Sequence, residues 1–104
     1  MQIHINTDKN IEGNARLSNY YTELLEQQLS RFEDKITSIE VHFGDENSEK
    51  FSKDDKRCLI EARVQKMQPI AVTDHSDTIE KAFNNALQKL KKVFDTSFEK
   101  LKSH

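Results

Sequence analysis

Along this chain the apolar residues change their spacing, from a period of two to a period of three to four and back, and that alternation limits the folds open to it. Ile3 and Ile5 alternate with Gln2, His4 and Asn6, which predicts a short strand with one apolar face. Residues 7–14, with Asp8, Asn10, Gly13 and Asn14, end it. Leu17, Tyr21, Leu24, Leu25, Leu29 and Phe32 then share one side of a helix expected to run from residue 15 to about residue 34, its cap lying somewhere within 10–18. Alternation returns over 36–43, where Ile39, Val41 and Phe43 face one way and Glu40 and His42 the other. Residues 44–56 have no periodicity and read as a long, mobile connection. A third strand follows over 57–66, Cys58, Ile60, Ala62 and Val64 alternating with Leu59, Glu61 and Arg63, and after a turn at Pro69 a short fourth strand is expected at 70–73. The last helix is predicted to start within 74–78, with Asp77 and Glu80 at capping-box spacing, and to carry Ile79, Ala82, Phe83, Ala86, Leu90, Val93, Phe94 and Leu101 on one stripe.

The order is therefore β-α-β-β-β-α. Each strand has one apolar face and each helix one apolar stripe, so the economical packing is an α+β domain, a four-stranded mixed sheet with two helices packed on one face. The 104 residues suffice for one domain spanning 1–104. The first two strands, joined through a helix, should be parallel with a right-handed crossover, and strands two to four an antiparallel meander. The other sheet face, with His4, Glu40, His42, Glu61 and Arg63, is left to solvent.

Several function classes find little support. No apolar run approaches the ~20 residues that cross a bilayer, and the N-terminus has no signal-peptide character, so a cytoplasmic protein without a membrane partner is expected. Cys58 is the only cysteine, and among Leu59, Ile60 and Ala62 it reads as a buried small hydrophobe. The two glycines, Gly13 and Gly44, build no phosphate loop, and no serine sits on a nucleophile elbow. His4 and His42 with Glu40 or Glu61 offer metal-like ligands on the open sheet face, although a solvated polar surface is the preferred meaning. His75 is more simply a turn residue, and His104 lies in the tail. The acidic stretch 45–55 lacks calcium-loop spacing. No catalysis, cofactor, metal or small-molecule substrate is expected.

Net charge is −2, but its distribution is uneven. Residues 45–55 hold five acids against Lys50 and Lys53, whereas residues 81–92 hold four lysines and no acid. On the last helix Lys81, Asn85, Gln88, Lys89 and Lys92 recur beside the apolar stripe, with Thr96 continuing the row. Arg16, Tyr20, Gln27 and Arg31 occupy a corresponding flank of the first. Side by side, the two flanks could meet one extended polyanion: the cations would bind phosphates, Tyr20 could stack on a base or sugar, and RNA would be recognised by shape rather than by base code. Wheel geometry alone favours an ordinary solvated flank.

Further motifs add a direction. The segment DTIEKAFNNALQKLKK, residues 77–92, carries an Ala-aliphatic pair in Ala82-Phe83, then Lys89-Leu90, then Lys92 three after the lysine. Near the end of the first helix Leu29-Ser30-Arg31-Phe32-Glu33 reads aliphatic, small, basic, apolar, acidic. With the element order, these resemble the ribosome hibernation-promoting factor and ribosome-associated inhibitor family, also called the sigma-54 modulation or ribosomal subunit interface proteins. The resemblance covers essentially the whole chain and matches the short form, without a linker or second domain. It implies a stress or stationary-phase factor that binds the small ribosomal subunit and its ribosomal RNA in the cleft between head and body. Lying across the mRNA channel and the tRNA sites, such a protein would inhibit translation. Arg31, Lys89 and Lys92 match basic positions that face ribosomal RNA in the family, and Lys81 and Arg16 join them from the wheel. Gln28 and Thr96 stand where some relatives carry arginine and lysine, and the tail interleaves Asp95 and Glu99 with Lys100 and Lys102. Exchanging Lys89 and Lys92 for glutamate is expected to abolish binding without unfolding the domain. The alternative is a protein–protein module that modulates a transcription or other regulatory factor through a sheet edge or the 45–55 segment.

Overall fold

The computed structural model describes residues 1–9, 11–45 and 55–102, the last four by their backbone alone. The elements are β1 (Gln2–Thr7), α1 (Ala15–Gln28), a 3-10 turn (Ser30–Phe32), β2 (Ile36–Asp45), β3 (Lys56–Val64), β4 (Ile70–Ser76) and α2 (Ile79–Lys102). The four strands form one sheet in the order β1-β2-β3-β4, with β1 parallel to β2 and the other neighbours antiparallel. This is the α+β, β-α-β-β-β-α architecture that the spacing predicts. Most of the acidic stretch 45–55 lies outside the described residues, as do Asn10, His104 and the Leu101 side chain. No helix among the described residues is long and apolar enough to cross a membrane.

Register shows why these residues share a face. Ile3 is opposite Ile39, which is opposite Ala62; Ile5 is opposite Val41, which is opposite Ile60. A slip of one residue would turn this whole set outward, so burial of one face holds the pairing in place. Between Ile36 and Ser38 the register with β3 shifts, and Thr37 is passed over. Its Oγ1 donates to the Arg63 carbonyl at 3.0 Å. The irregularity brings Ile36 onto the buried face, three residues rather than two before Ile39.

The structure moves several boundaries: β3, expected over 57–66, is Lys56–Val64 and gives way to a turn at Gln65 and Lys66, and four other elements change as follows. First, α1 stops at Gln28, short of residue 34. Leu29 leaves helical geometry at φ −110°, ψ 13°, and Phe32 N–H bonds to the Leu29 carbonyl at 2.9 Å, tightening the chain into the 3-10 turn. That turn buries Phe32 and leaves Arg31 exposed. Second, β4 runs on to Ser76, because Asp74, His75 and Ser76 continue the ladder opposite Cys58, Arg57 and Lys56. Third, the α2 cap is Thr78 rather than Asp77: Thr78 Oγ1 accepts from Lys81 N–H at 3.1 Å and its carbonyl from Ala82 N–H at 3.1 Å. Asp77, one residue too early to cap, pairs instead with the Lys81 ammonium at 3.2 Å. Fourth, β2 continues through Gly44 and Asp45, opposite Arg57 and Lys56. Across this end of the sheet Lys56 Nζ lies 3.3 Å from Asp45 and 3.0 Å from Asp55. For α1, Asn14 is the cap, its Oδ1 accepting from Leu17 N–H at 2.9 Å.

The core lies between the sheet and the two helices. Phe43, Phe83, Phe94, Leu25, Leu29, Ile39, Ile60 and Leu90 are fully buried. Tyr21 packs on Phe43 and Phe83 at ring distances of 4.8 and 4.7 Å, and Phe32 on Phe94 and Phe98 at 5.1 and 5.3 Å. Leu87 and Phe98 are buried too, although the sequence stripe omits them. α2 packs on the sheet beneath it and on α1 beside it, so its covered arc is wider than a single contact would make it.

Candidate nucleic-acid interface

Three contacts orient the helices relative to each other. Tyr21 meets Phe83, Gln28 meets Lys91, and Arg31 meets Asp95. Residue numbers rise together, so the helices run parallel, and their N-terminal ends sit at the same end of the domain. Arg16 and Lys81 therefore share one end of the helical layer, while Arg31, Lys91 and Lys92 share the other. Along α2 the two ends are separated by about 16 Å, at a rise of about 1.5 Å per residue.

The row expected on α2 divides. Lys81, Asn85, Gln88 and Lys92 follow each other at intervals of four, three and four, and all are exposed, as the outward face requires. Lys89 turns toward the sheet edge. Its Nζ donates to the Thr73 carbonyl at 2.9 Å and lies 3.1 Å from the Asp74 carboxylate. Partial burial pushes the Asp74 carboxyl up, but hydrogen bonds from Lys89 and from the His75 N–H outweigh it, and the net shift is downward. Lys89 is thus a brace between α2 and β4 while its side chain stays half exposed beside the packed stripe, a partner that the sequence row does not show.

At the α1–α2 seam the cations have other partners. Arg31 Nη2 donates to Asp95 Oδ1, both side chains being half exposed, and its guanidinium stands 4.4 Å from the Phe32 ring centroid. Lys91, which the sequence row leaves out, donates to Gln28 Oε1 at 2.9 Å. The run Lys91-Lys92 in the sequence is the signal for it. At the other end Lys81 holds Asp77, whose carboxyl the Lys81 hydrogen bond lowers. Arg16 is exposed, and Tyr20, half exposed, packs edge-on against Tyr21 at 4.9 Å. The structure thus brings Arg31 and Lys92 to one end and Arg16 and Lys81 to the other, with Lys89 directed elsewhere.

The open sheet face is different in kind. His4 pairs in register with Glu40 and Glu40 with Glu61, while His42 lies in the next row between Asn6 and Leu59. His42 Nε2 is 3.9 Å from Glu40, and Arg63 Nε 3.8 Å from Glu61. Among the described residues no group of three or more His, Cys, Asp or Glu side chains is arranged to hold a metal ion. Both signs of charge alternate there, whereas residues 81–92 of α2 hold four lysines and no acid; α1 beside it carries Glu23 and Glu26 as well as Arg16.

A family model described as Sigma 54 modulation protein / S30EA ribosomal protein matches residues 4–102. Among solved structures, the N-terminal domain of Protein Y from Thermus thermophilus is similar with a TM-score of 0.68 at 16% identity, over 88% of this chain and 93% of that one. A ribosomal subunit interface protein from Coxiella burnetii is similar with a TM-score of 0.59 at 22% identity, over 100% of both chains. At such identities these two likenesses speak for the fold. No curated protein matches the chain.

Proposed function

The chain belongs to the Sigma 54 modulation protein / S30EA ribosomal protein family, and from that membership we propose that it is a ribosome-binding factor that occupies the mRNA and tRNA channel of the small subunit and holds translation down. The observation that carries the reading is the extent of the family match, residues 4–102, which takes in the sheet and both helices. The parallel helices support it, because they set Arg16 with Lys81 and Arg31 with Lys91 and Lys92 at the two ends of one layer, from which these cations can reach phosphates of ribosomal RNA, although Glu23 and Glu26 are exposed on α1 between them. Such contacts bind by charge and position, without reading bases, which suits a partner of fixed shape. Inhibition then follows from occupancy alone: a folded domain in the channel excludes mRNA and tRNA by volume, with no bond made or broken. The compartment is that of ribosomes, the cytoplasm.

Co-sedimentation with purified small subunits over a salt series tests the proposal. Binding at low salt should weaken linearly on a log–log plot as counterions reassociate with the RNA. The double exchange Lys81→Glu with Lys92→Glu should weaken binding and make that slope shallower by roughly two, about one for each lost phosphate contact. No association at low salt would sink the proposal.

A further inference from the structure

Arg31, the cation of the seam best shaped to hold a phosphate, already holds an anion. Its Nη2 donates to Oδ1 of Asp95, 64 residues away in sequence. The guanidinium also stands over the ring of Phe32, which is buried against Phe94 and Phe98, so the arginine rests on a fixed apolar platform independent of Asp95. Lys91 and Lys92 precede Asp95 by four and three residues, one helical turn, and therefore flank it on α2. Lys91 has a neutral partner, Gln28, so its charge is not cancelled by that contact. One carboxylate thus sits among three cations where the two helices meet.

To a guanidinium a carboxylate and a phosphate offer the same thing, a pair of oxygens sharing negative charge at the width of its N–H fork. We infer that Asp95 is a built-in competitor for a phosphate seat formed by Arg31, Lys91 and Lys92. In the free protein its carboxylate occupies the seat, and an RNA phosphate docks by displacing it. The inference rests on the ribosome-binding reading and adds to it a named seat and a residue that limits affinity. Both partners are half exposed, at 62% and 52%, so the internal pair is weak and readily exchanged. Asp95 therefore tunes the contact and does not block it. The Lys81–Asp77 pair is formed within one helical turn and involves no second helix, so it lacks the platform that holds Arg31 in place.

The test is a double-mutant cycle on the full chain with purified small ribosomal subunits over a salt series, using Asp95→Asn, Arg31→Ala and the two combined. Asp95→Asn keeps the side-chain volume and should bind about two- to five-fold tighter at low salt, the release of one exposed ion pair. Its log–log salt slope should stay within about one contact of the native chain's, because the Arg31–phosphate contact forms in both complexes. In the Arg31→Ala background the same exchange should bring no gain. Unchanged or weaker binding by Asp95→Asn overturns the inference, and so does an equal gain without Arg31, which would reflect only the added net positive charge. If the native chain binds and Asp95→Asn brings no gain, this inference alone falls. If the native chain itself does not bind, the ribosome reading falls with it. Asp95→Ala, scored beside Asp95→Asn with its thermal midpoint, separates a folding defect from a binding effect.

Discussion

Lys89 on α2 ties the helix to the edge of the sheet, its Nζ 2.9 Å from the Thr73 carbonyl and 3.1 Å from Asp74 Oδ2. β4 is the last strand of the sheet, and an edge strand with unpaired backbone groups invites pairing with other chains. The ammonium satisfies one carbonyl of that strand and compensates a carboxylate that lies opposite the buried Cys58. Lys89→Glu removes both contacts and sets a second carboxylate beside Asp74, so it should lower stability by about 1–2 kcal/mol. Lys92→Glu, on the exposed face, should stay within about 0.5 kcal/mol. Guanidinium midpoints of the two variants check this. Equal midpoints would mean that the brace contributes nothing, and a binding defect in Lys89→Glu can be read only beside its stability.

Asp74 also sets an acid dependence. Its carboxyl titrates below the ordinary carboxylate value, so the unfolded chain takes up its proton first as pH falls. The stability it contributes is complete above the unfolded value, about 3.9, and is lost as pH falls through the lower folded one. Asp74→Asn should therefore cost stability at pH 7 and make the decline below pH 4 shallower, as followed by denaturant unfolding at several pH values.

At alkaline pH the sign reverses. Burial pushes the Tyr21 hydroxyl from 10.0 to about 12 and the Cys58 thiol from 9.0 to about 12. Both are neutral acids held protonated in the fold, so their contribution is full below the unfolded values and erodes between about pH 9 and 12. Cys58 should be inert to an aromatic disulfide reagent at pH 8 in the native chain and react only on unfolding. Fast stoichiometric labelling of the folded protein would contradict its burial.

Phe94 joins α2 to the turn that presents Arg31. It is fully buried, its ring 5.1 Å from Phe32 and 5.2 Å from Phe98. Phe94→Ala should cost about 3–5 kcal/mol through lost burial and the cavity left behind. Combined with Phe32→Ala it should cost less than the sum of the two, because the rings contact each other. Urea unfolding of the three variants measures the difference.

The α1 cap can be tested separately. Asn14→Ala should lose about 1 kcal/mol, and Asn14→Ser or Asn14→Asp should recover most of it, since each keeps an oxygen for the Leu17 N–H. Thermal midpoints rank the three.

Local spacing was enough to determine the element order, the inward face of each strand and the chief core positions of both helices, because strand and helix each repeat on a period short enough to be read within one segment. It placed Ile39, Val41 and Phe43 with Cys58, Ile60 and Ala62 on the buried face, and Lys81, Asn85, Gln88 and Lys92 on the open side of the last helix. It missed Thr37, where a register shift depends on the neighbouring strand, and the 3-10 turn at Ser30–Phe32, where the packing of Phe32 on Phe94 and Phe98 accompanies the departure from helix. Only the tertiary structure decided which charges meet. Arg31 finds Asp95 across 64 residues and Lys91 finds Gln28 across 63, while Lys89, one residue after Gln88, leaves the row for Asp74. Those pairings follow from the parallel setting of two helices on a common sheet, a geometry fixed by the burial of Tyr21, Phe83, Phe32 and Phe94 rather than by the charged residues themselves. A wheel assigns a lysine to a side of its own helix; what stands on that side is decided by the elements packed next to it.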